Sequence, residues 1–301
     1  MSSVARPFAQ QRGYWPYLVP GALGFLLVVL VPAGLNVGIS FTRWSGIGEP
    51  IPVGFENYVD LLGDAVFWKS FANSIAIIIA MAIVPTFVGL FLAAVLFDYV
   101  APKFGGATTS GFRAAIYLPQ IIPIAVAGVL WGFILQPQTG LLNTVLRNIG
   151  LEQFALNWLG DPATALPTVM AILVWLQLGY TIVVFMSGMA RVDPSLHEAA
   201  SLDGAGWLRR FWEVTVVTLR PEIAVVMLTT TVAALKVFAP IFVLTSGGPG
   251  DATMVPSYFA FYHFFTTTKV GYGAAISTVL AVILTVLAVS MLALQNRRAR
   301  S

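Results

Sequence analysis

Six long apolar runs separated by polar stretches dominate the pattern along this chain, at about 17–41, 71–99, 114–135, 168–189, 222–245 and 273–294. A bilayer core about 30 Å thick needs roughly 20 mainly apolar residues in helical conformation, and every run reaches that length. The first run is too long for a signal-peptide core and lacks a small-residue cleavage site, so it is expected to persist as a span. Pro85, Pro119, Pro123 and Pro240 interrupt the apolar runs. Each removes a backbone donor and disturbs the helical ladder. In lipid the freed carbonyls need a neighbouring helix or a wet cavity. The prolines are therefore either packing kinks or breaks in helices that line a pathway.

Composition narrows the class. Of 301 residues 58% are hydrophobic and only 10% charged, against about 25% charged in soluble domains. The chain is expected to be an all-α integral membrane protein, one transmembrane domain over 1–301 with about six helices. It has no cysteine, which removes a disulfide framework, a Cys-based zinc site and a thiol nucleophile.

Charge placement sets the expected orientation. Arg6, Arg12, Lys103, Arg113, Arg191, Arg209, Arg210, Arg220, Arg297, Arg298 and Arg300 all fall in the two tails, loop 99–113 and loop 190–221. The alternate loops hold only Arg43, Lys69, Arg147 and Lys269. By the positive-inside rule both termini are cytoplasmic. The isoelectric point of about 9.3 then reflects membrane topology, and no nucleic-acid partner is expected. Trp44, Trp68, Trp158, Tyr258 and Tyr262 lie near run ends, where amphipathic rings favour the headgroup zone of membrane lipid.

The segment 190–221 is the most polar in the second half. Asp193-Pro194 reads as a helix start, with Asp as cap and Pro at the first helical position. Gly204 and Gly206 stop it, because glycine readily takes the left-handed conformation. The helix between presents Leu196, Ala199, Ala200 and Asp203 on one face and His197, Glu198 and Ser201 on another. A second helix starts near Trp207, and Leu208, Phe211, Trp212 and Val214 are expected to seat it on the bundle. On physical grounds alone this is either a helix offered to a groove on a partner or an ordinary loop with Arg209 and Arg210 near anionic headgroups.

At these residues the chain resembles the membrane subunit of a binding-protein-dependent ABC importer. The signature of that family is Glu-Ala-Ala, three residues, Gly, nine residues, then an aliphatic residue and usually Leu-Pro. Glu198, Ala199, Ala200 and Gly204 match it, Asp203-Gly204-Ala205 is its commonest form, and Val214 takes the aliphatic position. Val216-Val217 stand where Leu-Pro is usual, which implies a less bent second helix. "NYVDLLGDAVFWKSFANS" (57–74), "LKVFAPIFVLTSGGPGDAT" (235–253) and "GYGAAIS" (271–277) resemble the carbohydrate-uptake branch. The resemblance implies that the Glu-Ala-Ala loop, within 190–221, is a coupling helix docking into a cytoplasmic ATPase through Glu198, Ala199, Ala200, Asp203, Gly204 and Ala205. It further implies a second permease subunit, two ATPase subunits that bind ATP and Mg, an extracytoplasmic substrate-binding protein, a sugar cargo, and a bacterial or archaeal cytoplasmic membrane. This chain itself is expected to carry no cofactor.

A substrate path is sought among intramembrane polar and aromatic groups. Sugars need aromatic surfaces and a few convergent hydrogen-bonding groups. Trp175, Gln177 and Tyr180 lie in the fourth run, and Lys236 and Phe238 in the fifth. Trp175 and Gln177 diverge on a helix, whereas Gln177 and Tyr180 share a face. Gln177 is either a packing hydrogen bond or a sugar contact. Lys236 pairs with an anionic cargo such as a glycerol phosphate, pairs with a carboxylate of the partner permease, or snorkels outward. The acidic residue common in this branch after the Phe of the fifth span is Ala239 here.

Other chemistry finds little footing. No G-x-x-x-x-G-K-[ST] stretch occurs, so ATP hydrolysis is expected of another polypeptide. "SGGPG" (246–250) lacks the following Lys-Ser/Thr and reads as an outer loop. No metal-ligand spacing occurs, and the runs hold no convergent set for an intramembrane enzyme.

Overall fold

The computed structural model describes residues 15–298, most of them helical. Helix α1 (Tyr17–Ser40) answers to the first apolar run. A two-residue ribbon follows, with β1 (Thr42–Arg43) antiparallel to β2 (Ile51–Pro52), then the short α2 (Glu56–Gly63). Segment α3 (Ala65–Ile121) is two helices that meet at a kink at Gly105, where φ +80° and ψ 170° are not helical. The turn expected within 99–113 narrows to that kink, with helical residues on either side of it. Pro123 breaks the third run, so α4 (Ile124–Ile134) is a separate short helix. The path continues with α5 (Leu141–Asn148) and α6 (Pro162–Met189), then α7 (Pro194–Leu202), α8 (Trp207–Thr218) and α9 (Arg220–Leu235). Last come α10 (Ala239–Leu244), α11 (Pro256–Phe265) and α12 (Val270–Arg298).

Four helices are long and apolar enough to cross a bilayer: Tyr17–Ser40, Ala65–Ile121, Pro162–Met189 and Val270–Ser290. The pair α8 and α9 qualifies only when taken together, across a bend of 71°. That bend sits at Leu219, just before Arg220-Pro221. The bend thus falls between the second helix and the fifth span, where Arg220-Pro221 stand, and not at Val216-Val217. The fifth run is likewise interrupted at Lys236–Phe238. Arg6, Arg12 and Arg300, which enter the charge count, lie outside the described residues, as do the side chains of Arg297 and Arg298.

The chain divides into two compact units, Met1–Gly63 with Ala260–Val279, and Asp64–Phe259 with Leu280–Ser301. The first is held by polar staples between apolar elements, as lipid-embedded helices commonly are. Asn36 Nδ2 donates to the Ala274 carbonyl at 3.3 Å and to Thr278 Oγ1 at 3.0 Å. Asn57 Nδ2 donates to the carbonyls of Ser40 and Thr42 at 2.8 and 2.9 Å, and Arg43 pairs with Glu56.

The second unit has two apolar centres. Leu90, Ala93, Ile182, Phe185, Met189, Phe211 and Val226 form one. Ala127, Leu135, Ile172 and Leu176, with Trp131, Trp158 and Trp175 around them, form the other. Small residues let the backbones meet: a Cβ on Gly89 would sit 2.2 Å from Thr181 Oγ1, and one on Gly179 2.7 Å from the Ile116 carbonyl oxygen.

Candidate functional site

Local rules shape α7 closely. Asp193 caps it by accepting from the Ser195 amide at 2.9 Å, and Pro194 fills the first turn. That backbone bond, with a second from the Ser195 side chain, holds the Asp193 carboxyl below the usual carboxylate range. At the other end Ala205 N–H reaches the Ala200 carbonyl at 3.0 Å and Gly204 N–H reaches that of Ser201 at 3.1 Å. This is the paired closure that requires a left-handed residue between them, and Gly204 supplies it at φ +75°.

Helix α7 has no buried residue. Glu198, Ala199, Asp203 and Gly204 are exposed, Ala200 and Ala205 half-buried. Leu202 is 89% and Leu196 47% exposed. Nine residues are too few to hold a helix in water on propensity alone. Its caps hold it, and so does a brace in which Arg210 donates to Ser201 Oγ while that hydroxyl donates to the His197 carbonyl at 2.7 Å. Among the described residues Glu198 makes no ion pair. A preformed helix thus presents Glu198, Ala199 and two leucines that no described residue of this chain buries.

The next helix is seated only in part as expected, with Phe211 buried and Val214 half-buried. Leu208 is 59% and Trp212 50% exposed, whereas Phe211 and Leu219 are buried at 5% and 1%. The seated stripe is Trp207, Phe211, Thr215 and Leu219, recurring every four residues, because a wider π-type turn over Phe211–Thr215 rotates the face. Trp207 is its anchor. Its Nε1–H donates to Asp98 Oδ2 at 2.8 Å. Its ring meets Phe91, Tyr99 and Phe211 with centroids 5.8, 5.5 and 5.7 Å away. Sequence reasoning did not single out Asp98, although a carboxylate closing an apolar run is a signal that could have found it. Arg191 also pairs with Glu222, tying the end of α6 to the start of α9.

The five substrate-path residues divide. Trp175 packs edge-on to Trp131 at 5.4 Å in the second apolar centre. Tyr180 packs against the first and bonds Thr229 Oγ1 through its hydroxyl at 3.2 Å. Trp175 and Tyr180 are thus not brought together. Gln177, half-buried, makes no hydrogen bond among the described residues. Lys236 ends α9, exposed and without an ion pair among the described residues. Phe238 lies in the break that follows and stacks on Phe242 at 5.6 Å. Ser257 Oγ donates to the Val237 carbonyl at 2.5 Å, satisfying one group freed by the break. On α9, Val225, Thr229, Ala233 and Lys236 follow at helical spacing and all are exposed, so the polar groups of this face are open. The Gly-rich loop is structural: Thr253 Oγ1 donates to the Gly248 carbonyl at 2.8 Å, and Lys69 and Asn73 donate to those of Gly250 and Met254, both at 2.9 Å.

Comparison with known proteins agrees with this architecture. The family described as binding-protein-dependent transport system inner membrane component matches residues 99–301. The probable ABC transporter permease protein YurN of Bacillus subtilis is 38% identical, covering 89% of this chain and 90% of its own. The diacetylchitobiose uptake system permease protein NgcF of Streptomyces coelicolor is 32% identical, covering 93% and 80%. The fold of one chain in the crystal structure of a bacterial alginate ABC transporter, in complex with an alginate pentasaccharide-bound periplasmic protein, is similar with a TM-score of 0.82. It matches at 21% identity over 99% of both chains. This chain belongs to the inner-membrane components of binding-protein-dependent transport systems and is a non-catalytic ABC transporter permease.

Proposed function

We propose that this permease forms half of the translocation path for a sugar or oligosaccharide in the cytoplasmic membrane of a bacterium or archaeon. A second permease supplies the other half, and a substrate-binding protein delivers the cargo from outside. Two cytoplasmic ATPases bind ATP and Mg, and both termini and segment 190–221 face them. The observation that carries the coupling assignment is α7 itself, a capped helix with no buried residue that presents Glu198 beside Ala199 and Ala200. Burial of its apolar face must come from a partner, as in helix-in-groove recognition. Sugar as cargo is supported by the relatives, among them the diacetylchitobiose permease. Tyr180, Thr229 and Gln177 offer the hydrogen-bonding groups that a sugar needs.

The test uses the complex purified in mild detergent with its partners. Glu198→Lys and Gly204→Trp are expected to preserve insertion while ATPase subunits are lost on purification or hydrolysis no longer drives uptake. Normal uptake in both variants sinks the assignment. A second reading, an anionic solute such as a glycerol phosphate, is favoured by the exposed, unpaired Lys236. An uptake panel of neutral and acidic sugars, compared between the parent and Lys236→Gln, separates the two readings.

A further inference from the structure

Helix α7 has to act on the spans through something rigid. It is joined to α8 by a four-residue turn and the Arg210–Ser201 brace, so the two move as one body. Two contacts lead from that body to the spans. At the far end of α8 the buried stripe continues into the Leu219 bend. At its near end the Trp207 indole reaches α3 at Asp98, within a ring of Phe91, Tyr99 and Phe211. From Asp98 the helix runs without a break to Gly89, nine residues or about 13 Å away. There it lies against α6 at Thr181, so near that a Cβ on Gly89 would clash. Thr181 is the neighbour of Tyr180, whose hydroxyl bonds Thr229 of α9.

We propose that the Trp207–Asp98 hydrogen bond is the joint by which movement of α7 is delivered to α3 and, through the Gly89–Thr181 contact, to the Tyr180–Thr229 pair. This rests on the reading of α7 as the ATPase-docking helix. Trp207 and Asp98 are positioning residues: neither needs to touch cargo or ATPase. The ring cage alone would leave Trp207 free to slide along α3, since ring packing is weakly directional, whereas the N–H···O bond sets one register. A hydrogen bond to a carboxylate is among the stronger kinds, and its loss shifts a two-state equilibrium by about ten-fold.

The test exploits the absence of cysteine. Single nitroxide labels are placed at Leu202→Cys on α7 and at Val183→Cys on α6, positions 89% and 40% exposed, in the complete co-purified complex. Spectra are compared before and after trapping with ATP and vanadate. In the parent both labels respond. Trp207→Phe and Asp98→Leu are expected to keep the response at position 202 and to reduce the trapped population seen from position 183 by about ten-fold. Asp98→Asn keeps an acceptor and restores it, and Trp207→Phe with Asp98→Leu is no worse than either alone. Full response at position 183 in both single variants overturns the joint, as does equal loss in Asp98→Asn. A parent whose label at position 202 ignores trapping fails at an earlier step and removes the docking reading on which the joint depends.

Discussion

Replacing Gly89 by alanine tests whether the approach of α3 to α6 is as tight as its geometry states. The new methyl would lie 2.2 Å from Thr181 Oγ1 and 3.0 Å from Thr181 Cβ, so the helices must part or one side chain must turn by about an ångström. Thr181 has little freedom to yield, being fully buried with its hydroxyl donating to the Leu178 carbonyl at 2.9 Å. Overpacking of this kind costs about 1–3 kcal/mol, and the better helix propensity of alanine offsets up to about 1 kcal/mol. A net loss of about 1–2 kcal/mol follows, roughly 1.5–3 °C in Tm for a chain of this size. Thr181→Ala removes the nearer atom and should recover most of the loss, leaving only the 3.0 Å contact. The assay is thermal unfolding in detergent followed by tryptophan fluorescence, as a double-mutant cycle. Parental stability of Gly89→Ala, or an equal loss with and without Thr181→Ala, refutes the packing argument.

Three further outcomes are expected. Asn143 is fully buried, donates to the Pro137 and Leu156 carbonyls at 3.1 and 2.8 Å, and accepts from Trp158 Nε1 at 2.7 Å. Asn143→Leu strands all three partners, and unfolding should register a loss of about 2–4 kcal/mol with altered Trp158 emission. In the first unit a Cβ on Gly271 would meet the Thr42 carbonyl oxygen at 1.8 Å. Because backbone cannot turn aside, Gly271→Ala should cost about 3 kcal/mol or more, seen as a lower Tm, whereas Gly21→Ala on open helix surface should not. For Asp193 the folded pKa is depressed, so its capping contribution is complete above the unfolded value of about 3.9 and is lost as pH falls through the lower folded value. A nitroxide at position 202 should gain mobility over that acid range. It should not do so in Asp193→Asn, which caps without titrating.

Much of α7 was legible because its determinants are local. Asp193, Pro194 and Gly204 set its ends within a residue or two, by rules that act over one helical turn. The divergence of Trp175 from Gln177 followed from helical spacing alone. The seat of α8 did not, since the π-type turn over Phe211–Thr215 shifts the register that spacing assumes. Segment 99–113 read as a loop from its polarity, yet helix enters it from both sides and the turn contracts to the kink at Gly105.

By itself the sequence determined a lipid-soluble, helical chain. Its charge is too sparse for water, and backbone groups in a bilayer must bond within their own segment. It likewise determined where α7 begins and stops, and hence the exposed Glu198 and Ala199. Only the tertiary structure decided which polar groups meet: Trp207 with Asp98, 109 residues apart, and Tyr180 with Thr229, 49 apart. The physical reason is range. Capping and periodicity act within a turn, whereas a side-chain bond between helices exists only where backbones come close enough. Here that distance is set by glycines 89 and 179 facing Thr181 and Ile116 on neighbouring helices.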